Sequence, residues 1–306
     1  MPKLRILAIG SHPDDIELGC GGMLIKAARA GHDVYMYVMT RGGKSGSPTQ
    51  RTNELFDSAK FIGAKTLWVD SFKDTDLAVE SKVINHIEYF IHRSDPDIIL
   101  THPIKDYHHD HRAVAECTME AARNSQNVLA YEIPATRDFT PQLFYDVSDV
   151  IDDKVRLIGL FLSQRGKSVV RAGAIRGMAE YRASQSRMNS PVSHVEAFQV
   201  QKMCTNVDFG LMKYNRGEMP VAVTDEIVKS LKDIIQYSPY AGRPQLLETA
   251  DPSISPINGV APQMLIHDDQ MRGGQFPTTG IESTLKSAAE AKGQTTKNNN
   301  KRVESW

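Results

Sequence analysis

Residues 10 to 22, GSHPDDIELGCGG, follow an apolar run at residues 4–9 and decide how the N-terminal part of the chain folds. The apolar run is typical of a short buried strand, and the residues after the turn carry apolar side chains at helical spacing. Between strand and helix lie His12 and two adjacent aspartates, Asp14 and Asp15. Three kinds of turn fit this pattern: a phosphate-binding loop, a metal site, or a loop that caps the helix.

The composition of the 306 residues is that of an ordinary globular protein. The formal net charge is −1, from 36 Lys and Arg against 37 Asp and Glu, so no basic surplus indicates nucleic-acid binding. No apolar run reaches the roughly 18 residues of a membrane span, and the N-terminal run is too short for a signal peptide. Cys20, Cys117 and Cys204 are far apart, which predicts buried thiols in a reducing cytoplasm. We therefore expect a cytoplasmic protein without nucleic acid or a membrane span.

Strand and helix patterns alternate along the first 135 residues, with short loops between them. The alternation predicts an α/β fold of Rossmann-like type, a mainly parallel sheet with helices on both faces. We expect this domain to cover residues 1–205, followed by a C-terminal extension with some helix over 206–277. The clearest helical pattern of the extension lies at residues 225–237. The polar composition of residues 278–306 predicts a disordered tail.

The GSHPDD turn fits a nucleotide site poorly. The glycines do not have the spacing of a dinucleotide loop, and two carboxylates would repel phosphate. His12 and Asp15 are three residues apart on a turn that enters a helix, and both are good metal ligands. Taken alone, the stretch favours a simpler structure in which Asp14 or Asp15 caps the helix, because aspartate caps are frequent.

A second cluster changes this balance. Residues 101–111, THPIKDYHHDH, hold four of the ten histidines and follow another predicted strand, so both clusters meet at one edge of the sheet. His111 would supply the third ligand of a two-histidine, one-carboxylate site with an open position, as in catalytic zinc centres. Asp14 is then free to act as general base, and His108 to stabilise an oxyanion or protonate an amine. We expect Asp110 to orient His108. Iron, cobalt or manganese would suit the same ligands.

The two clusters are similar to the motifs of the PIG-L deacetylase superfamily, also called LmbE-like. The first motif, HPDDxExGxGG, is matched by residues 12–22. The matching residues of the second motif are His102, Pro103, Asp106, His108, Asp110 and His111. Residues 40–46 and 51–54 resemble a loop and a helix that family members carry between the motifs.

The resemblance implies the same metal ligands, His12, Asp15 and His111, with Asp14 as base and His108 as electrophile or acid. It also implies that Arg51 contacts the substrate, although a solvated charge on a helix face is the simpler interpretation of that residue alone. The implied activity is removal of the N-acetyl group from an N-acetylglucosamine-type sugar or glycoconjugate. A homo-oligomer is expected from the resemblance alone.

Other functions remain open from the sequence. The same metal chemistry could cleave a non-acetyl amide, as in thiol-conjugate amidases. The sheet could also serve a non-catalytic nucleotide-sugar binding protein, which would hold no tightly bound metal. A nucleophilic hydrolase using Ser11 or Cys20 is disfavoured, because no G-x-S-x-G turn surrounds Ser11 and Cys20 should point into the helix–sheet interface.

Overall fold

The structure is a computed structural model that describes residues 3–125, 127–189, 191–204, 230–231, 233–238 and 244–246. All of these residues belong to one compact unit, Met1–Pro256. The strands are β1 (Arg5–Gly10), β2 (Asp33–Thr40), β3 (Thr66–Phe72), β4 (Ile98–Thr101), β5 (Asn127–Tyr131), β6 (Leu143–Asp146), β7 (Val195–Met203), β8 (Ile235–Tyr237) and β9 (Gln245–Leu246). The helices are α1 (Asp15–Arg29), α2 (Pro48–Ile62), α3 (Ser81–Ser94), α4 (His109–Ala121), α5 (Ile151–Gly159) and α6 (Ala172–Ser186).

The strands form a single sheet in the order β6-β7-β5-β4-β1-β2-β3-β8-β9. The five central strands, from β5 to β3, are all parallel, whereas the strands added at both ends are antiparallel. The fold is therefore the α/β, mainly parallel sheet that the alternation of patterns predicted. Because β1 and β4 are neighbours, the loops that follow them lie side by side at one edge of the sheet.

Helices cover both faces of the sheet, as predicted. Side chains of β1 alternate between two cores: Ile6 and Ala8 lie in one with residues of α1 and α2, and Leu7 and Ile9 lie in the other with residues of α3 and α4. All four are at most 2% exposed. Full burial of an aliphatic side chain contributes about 1.5–3 kcal/mol, so these two cores hold the central strand firmly.

Helix α1 is broken at Cys20, whose φ of −137° and ψ of 17° are not helical. The break frees the N–H groups of Gly22 and Met23, and both donate to the carboxylate of Glu196 in β7, each at 2.7 Å. Lys154 of α5 donates to the same carboxylate at 2.6 Å. A buried ion pair thus caps the second half of α1.

The expectation of a helix over residues 225–237 is wrong for its last three residues, which form strand β8. Trp68 Nε1 of β3 donates to Gln236 Oε1 at 3.2 Å, and the two strands pair antiparallel. Pairing with β8 satisfies the backbone N–H and C=O groups at the free edge of β3. This long-range gain outweighs the local helical periodicity of the last three residues. Residues 225–229 lie outside the described residues.

The division at residues 205 and 277 stays a prediction. Most of the C-terminal extension and all of residues 278–306 lie outside the described residues. Among the helices that the structure describes, none combines the length and the hydropathy that crossing a bilayer would take.

Candidate metal centre and active site

Two turns at the carboxyl edge of the sheet carry the predicted site residues. The turn after β1 carries His12 and Asp14 and leads into α1, which begins at Asp15. The segment after β4 carries His108 and leads into α4, whose first turn carries His111. Since β1 and β4 pair in parallel, residues about 100 positions apart in sequence come into contact here.

The three predicted metal ligands converge. His12 Nδ1 lies 3.3 Å from Asp15 Oδ2 and 3.3 Å from His111 Nε2, and His111 Nε2 lies 3.4 Å from Asp15 Oδ2. All three residues are at most 7% exposed. Ligands about 2.0–2.1 Å from a tetrahedral metal are themselves about 3.3–3.4 Å apart. The donor atoms therefore already stand at the separations that such a metal requires.

A carboxylate lies behind each of the two imidazoles. His12 Nε2 is 3.0 Å from Asp110 Oδ2 and 3.2 Å from Asp74 Oδ1, and His111 Nδ1 is 3.1 Å from Asp106 Oδ1. These contacts orient the two rings, and with a metal bound they would hold the one proton of each ring on the nitrogen that faces the carboxylate, as in carboxylate–histidine–metal sites. Asp74 and Asp106 received no role from the sequence.

The carboxylates also decide how the two imidazoles titrate. Burial by itself lowers the pKa of His12, but Asp110, Asp15 and Asp74 outweigh it and raise the pKa well above its usual value. Burial likewise opposes Asp15 and Asp106 at His111, and the net effect raises the pKa of His111 to about 9. The pocket is therefore built to hold positive charge.

His102 lies next to the three ligands but its lone pair is occupied. Its Nε2 accepts a hydrogen bond from the N–H of Ser11 at 3.1 Å, and its ring stacks on His111 with the centroids 4.1 Å apart. Burial and the neighbouring His111 lower the pKa of His102 to about 4, so it is neutral near pH 7. Although Asp15, His102 and His111 could also hold an ion together, the Ser11 bond leaves His12 as the better ligand.

Asp14 does not cap the helix, although it occupies the N-cap position. Its φ of 105° is left-handed, and its side chain makes no capping hydrogen bond. Asp14 Oδ1 instead accepts from Arg51 Nη2 at 3.1 Å. Burial and the adjacent Asp15 raise the pKa of Asp14 to about 6, against the opposing charges of Arg51 and Lys167. A buried carboxylate with a raised pKa beside a set of metal-type ligands is suited to accept and return a proton.

Arg51 is not the solvated helix-face charge of the simpler interpretation. It is 2% exposed and donates to Asp14, to the carbonyl of Pro13 and to the carbonyl of Gly42. Gly42 has a φ of +67°, and a Cβ there would lie 2.3 Å from the guanidinium. The loop therefore needs glycine at this position to let Arg51 reach Asp14. The predicted contact between Arg51 and a substrate stays a prediction.

His108 lies at the mouth of the site, half-buried, with its ring centroid 4.7 Å from those of His12 and His111. Its Nδ1 accepts from the N–H of Asp110 at 3.2 Å, which places the proton of the neutral ring on Nε2. Burial and the two neighbouring imidazoles lower the pKa of His108. His109, next to it, is exposed.

The carboxylate of Asp110 does not orient His108 in the way the sequence suggested. It accepts from the N–H groups of Thr75 at 2.8 Å and Leu77 at 3.0 Å, and it contacts His12 Nε2. Only the backbone of Asp110 bonds to His108. The reason is that the loop after β3 brings Asp74 to His12 and the N–H of Thr75 to Asp110, which local sequence spacing does not reveal.

Comparisons with known proteins agree with the motif resemblance. The PIG-L family, described as GlcNAc-PI de-N-acetylase, matches residues 7–122. The chain is 37% identical over 153 residues to the uncharacterized deacetylase YaiS of Escherichia coli (strain K12), covering 47% of this chain and 82% of that protein. The chain belongs to the PIG-L family.

Two further similar proteins carry names with a substrate. The diacetylchitobiose deacetylase of Thermococcus kodakarensis is 28% identical over 186 residues, covering 52% of this chain and 70% of that protein. The solved structure of N,N'-diacetylchitobiose deacetylase from Pyrococcus horikoshii has a TM-score of 0.57 at 20% identity, covering 69% of this chain and 87% of that one. This structure shows the shared fold. The relatives from Escherichia coli and Thermococcus kodakarensis, both named deacetylases, indicate a hydrolase of the deacetylase type.

Proposed function

We propose that this PIG-L protein removes the N-acetyl group from an N-acetylglucosamine-type sugar or glycoconjugate and releases acetate and a free amine. The observation that carries the proposal is the convergence of His12, Asp15 and His111 beside the buried carboxylate of Asp14. The sugar is taken from the names of the two diacetylchitobiose deacetylases.

The donor set fits a divalent metal, and zinc is our proposal. His12, Asp15 and His111 would hold it, while Asp106, Asp74 and Asp110 keep the imidazoles oriented. When bound, such a metal lowers the pKa of water to near neutrality and polarises a carbonyl oxygen. Two imidazoles and one carboxylate leave a coordination position open, which suits a catalytic rather than a structural site.

Asp14 acts as the general base in this proposal. It takes a proton from the attacking water, and its raised pKa lets it hold that proton until the amine leaves. Arg51 is a positioning residue that keeps the Asp14 carboxylate in place through its bond to Oδ1. This role accounts for the deep burial of Arg51 better than direct contact with a substrate does.

His108 supplies a hydrogen bond to the amide oxygen or a proton to the departing nitrogen. Its Nε2 carries a proton in the neutral ring, because Nδ1 accepts from the N–H of Asp110. Half-burial at the mouth of the site lets His108 reach a bound substrate. In this proposal the backbone N–H of Asp110 fixes the orientation of the His108 ring.

The direct test is acetate release from N-acetylglucosamine oligomers by the full-length protein, with bound metal counted per chain. We expect about one metal per chain and release that a chelator abolishes and zinc restores. Metal without acetate release would contradict N-acetyl specificity and redirect the search to other amides. Absence of bound metal after reconstitution would contradict the proposal as a whole.

A further inference from the structure

A second hydrogen-bonded chain of catalytic-type side chains lies outside the metal centre. It joins Asp70 of β3, His86 of α3 and Ser230, which precedes β8. His86 Nδ1 is 2.7 Å from Asp70 Oδ2, and His86 Nε2 is 2.7 Å from Ser230 Oγ. Asp70 and His86 are 2% and 1% exposed, and Ser230 is half-buried. None of the three belongs to the site described above.

The hydrogen bonds around Asp70 fix which atoms donate and which accept between Asp70, His86 and Ser230. Its Oδ2 accepts from the Tyr37 hydroxyl at 2.7 Å and its Oδ1 from the N–H of Ser71 at 2.7 Å. A carboxylate can only accept, so the proton between Asp70 and His86 sits on His86 Nδ1. His86 Nε2 is then an acceptor, and the Ser230 hydroxyl donates to it. This is the arrangement in which an imidazole can take the proton of a serine nucleophile.

A cavity of about 230 Å³ adjoins Asp70, His86 and Ser230. The rest of its lining consists of Ser71, Phe72, Lys82 and Asp233. Ser71, Lys82 and Asp233 are exposed, so the cavity communicates with solvent. Lys82 Nζ lies 5.1 Å from the Phe72 ring, whose edge meets His86. An ammonium group at the wall can stabilise negative charge that develops on a carbonyl oxygen.

We propose that Ser230, His86 and Asp70 form a second hydrolytic site that cleaves small carboxylic esters. A purely structural role, fastening the segment around Ser230 to the sheet, would need the hydrogen bonds but not the adjoining cavity. The size of the cavity suits a short acyl group. The geometry recognises a triad independently of the order in which its members occur along the chain.

The reaction balances without any further reagent than water. Ser230 Oγ bonds to the ester carbonyl carbon while its proton passes to His86 Nε2. The bond between that carbon and the alkoxy oxygen breaks, and His86 returns the proton to the departing alcohol. A water molecule then gives a proton to His86 and bonds to the acyl carbon. Ser230 Oγ leaves with that proton, and the carboxylic acid is released.

The test uses the full-length protein carrying Asp14→Ala, which silences the proposed metal-dependent activity. A fluorophosphonate probe and p-nitrophenyl acetate report on the serine. We expect the probe to label Ser230, identified by mass spectrometry, and Ser230→Ala to lower both labelling and ester hydrolysis at least about tenfold. Ser184→Ala is the matched control, because Ser184 is an exposed serine of α6 that does not line the cavity.

His86→Gln is the second variant, with folding checked by circular dichroism, and it should lose labelling while Ser230 is retained. Labelling at another residue, or ester hydrolysis that Ser230→Ala leaves unchanged, would overturn the proposal. The hydrogen bonds among Asp70, His86 and Ser230 would then have a structural role only. Ser230→Ala alone should keep metal-dependent acetate release, so the two activities can fail separately.

Discussion

The pKa values of the adjacent residues Asp14 and Asp15, where β1 leads into α1, are shifted in opposite directions. Burial raises the pKa of Asp14 to about 6, with a further contribution from Asp15. Burial also acts on Asp15, but His111 and His102 outweigh it and lower its pKa well below the usual value. Groups whose pKa values are pushed apart by their surroundings indicate separate roles. The residue with the lowered pKa faces the imidazoles as a permanent anion, and the other is suited to carry a proton.

Asp14→Asn is expected to keep the fold and the metal but to lower kcat for acetate release by about 10²–10⁴. Asparagine has nearly the same shape and tolerates the left-handed backbone of this position, so the substitution removes the basic oxygen and the negative charge that faces Arg51. Steady-state kinetics with parallel metal analysis measures the effect. Asp76→Asn, an exposed carboxylate in the neighbouring loop, is the control. Near-wild-type turnover of Asp14→Asn would show that another group is the base.

His111→Ala should abolish tight metal binding, whereas Asp106→Asn should weaken it by about 10–100-fold. Asp106 Oδ1 lies 3.1 Å from His111 Nδ1, so its loss frees the ring orientation without removing a donor. Competition with a chromophoric chelator gives both affinities. Asp138→Asn, which alters an exposed pair with Lys105, should change nothing. Equal loss in Asp106→Asn and His111→Ala would mean that Asp106 is itself a ligand.

The break in α1 couples three elements that are distant in sequence. Glu196 of β7 accepts from two amides of α1 and from Lys154 of α5, and all of these groups are buried. Near the break, a Cβ on Gly19 would lie 2.1 Å from the ring of Tyr131, so this helix can approach β5 only with glycine there. Helix α1 is thereby fixed to β5 at Gly19 and to β7 at Gly22 and Met23.

Glu196→Gln is expected to destabilise the protein by about 3–5 kcal/mol, because it leaves the buried ammonium of Lys154 without its counter-charge. Adding Lys154→Met should recover part of that loss. Denaturant unfolding measures the free energies. Asp153→Asn, which breaks the more exposed ion pair between Arg29 of α1 and Asp153 of α5, should cost at most about 1 kcal/mol. A double variant no more stable than Glu196→Gln would contradict the unpaired-charge explanation.

At the level of elements, the sequence was informative where patterns are local. The strand–turn–helix order and the meeting of His12 with His111 follow from periodicity and from the rule that functional side chains gather at the carboxyl edge. Asp74 was missed because its contact with His12 depends on how the loop after β3 crosses the sheet edge. Strand β8 was missed for a similar reason, since pairing with β3 is a long-range effect.

At the scale of the molecule, a metal at the proposed site would join segments that lie far apart in the chain. His12 and His111 are 99 positions apart, and they follow β1 and β4, which are neighbours in the centre of the sheet. A ligand that binds only the folded state adds to its stability. Whether copies of this chain assemble into a homo-oligomer, and in which compartment the protein works, stay predictions.

Removal of the metal should therefore lower the melting temperature. At a free metal concentration of 100 times Kd, the expected stabilisation is about 2.7 kcal/mol. Thermal unfolding with chelator, and again after addition of zinc, measures the shift. His111→Ala should show no shift, and His109→Ala, an exposed neighbour, should respond as the wild type does. A melting temperature that chelation and zinc leave unchanged would argue against a metal at this site.

The two outermost strands of the sheet, β6 and β9, have four and two residues. An edge strand presents unpaired N–H and C=O groups, and long exposed edges are templates for pairing between molecules. Edge strands this short offer few backbone groups for pairing with a strand of another molecule. The described part of the sheet thus ends at both sides in a form that disfavours amyloid-like aggregation, even though its central strands are rich in the β-branched and aromatic residues that promote it.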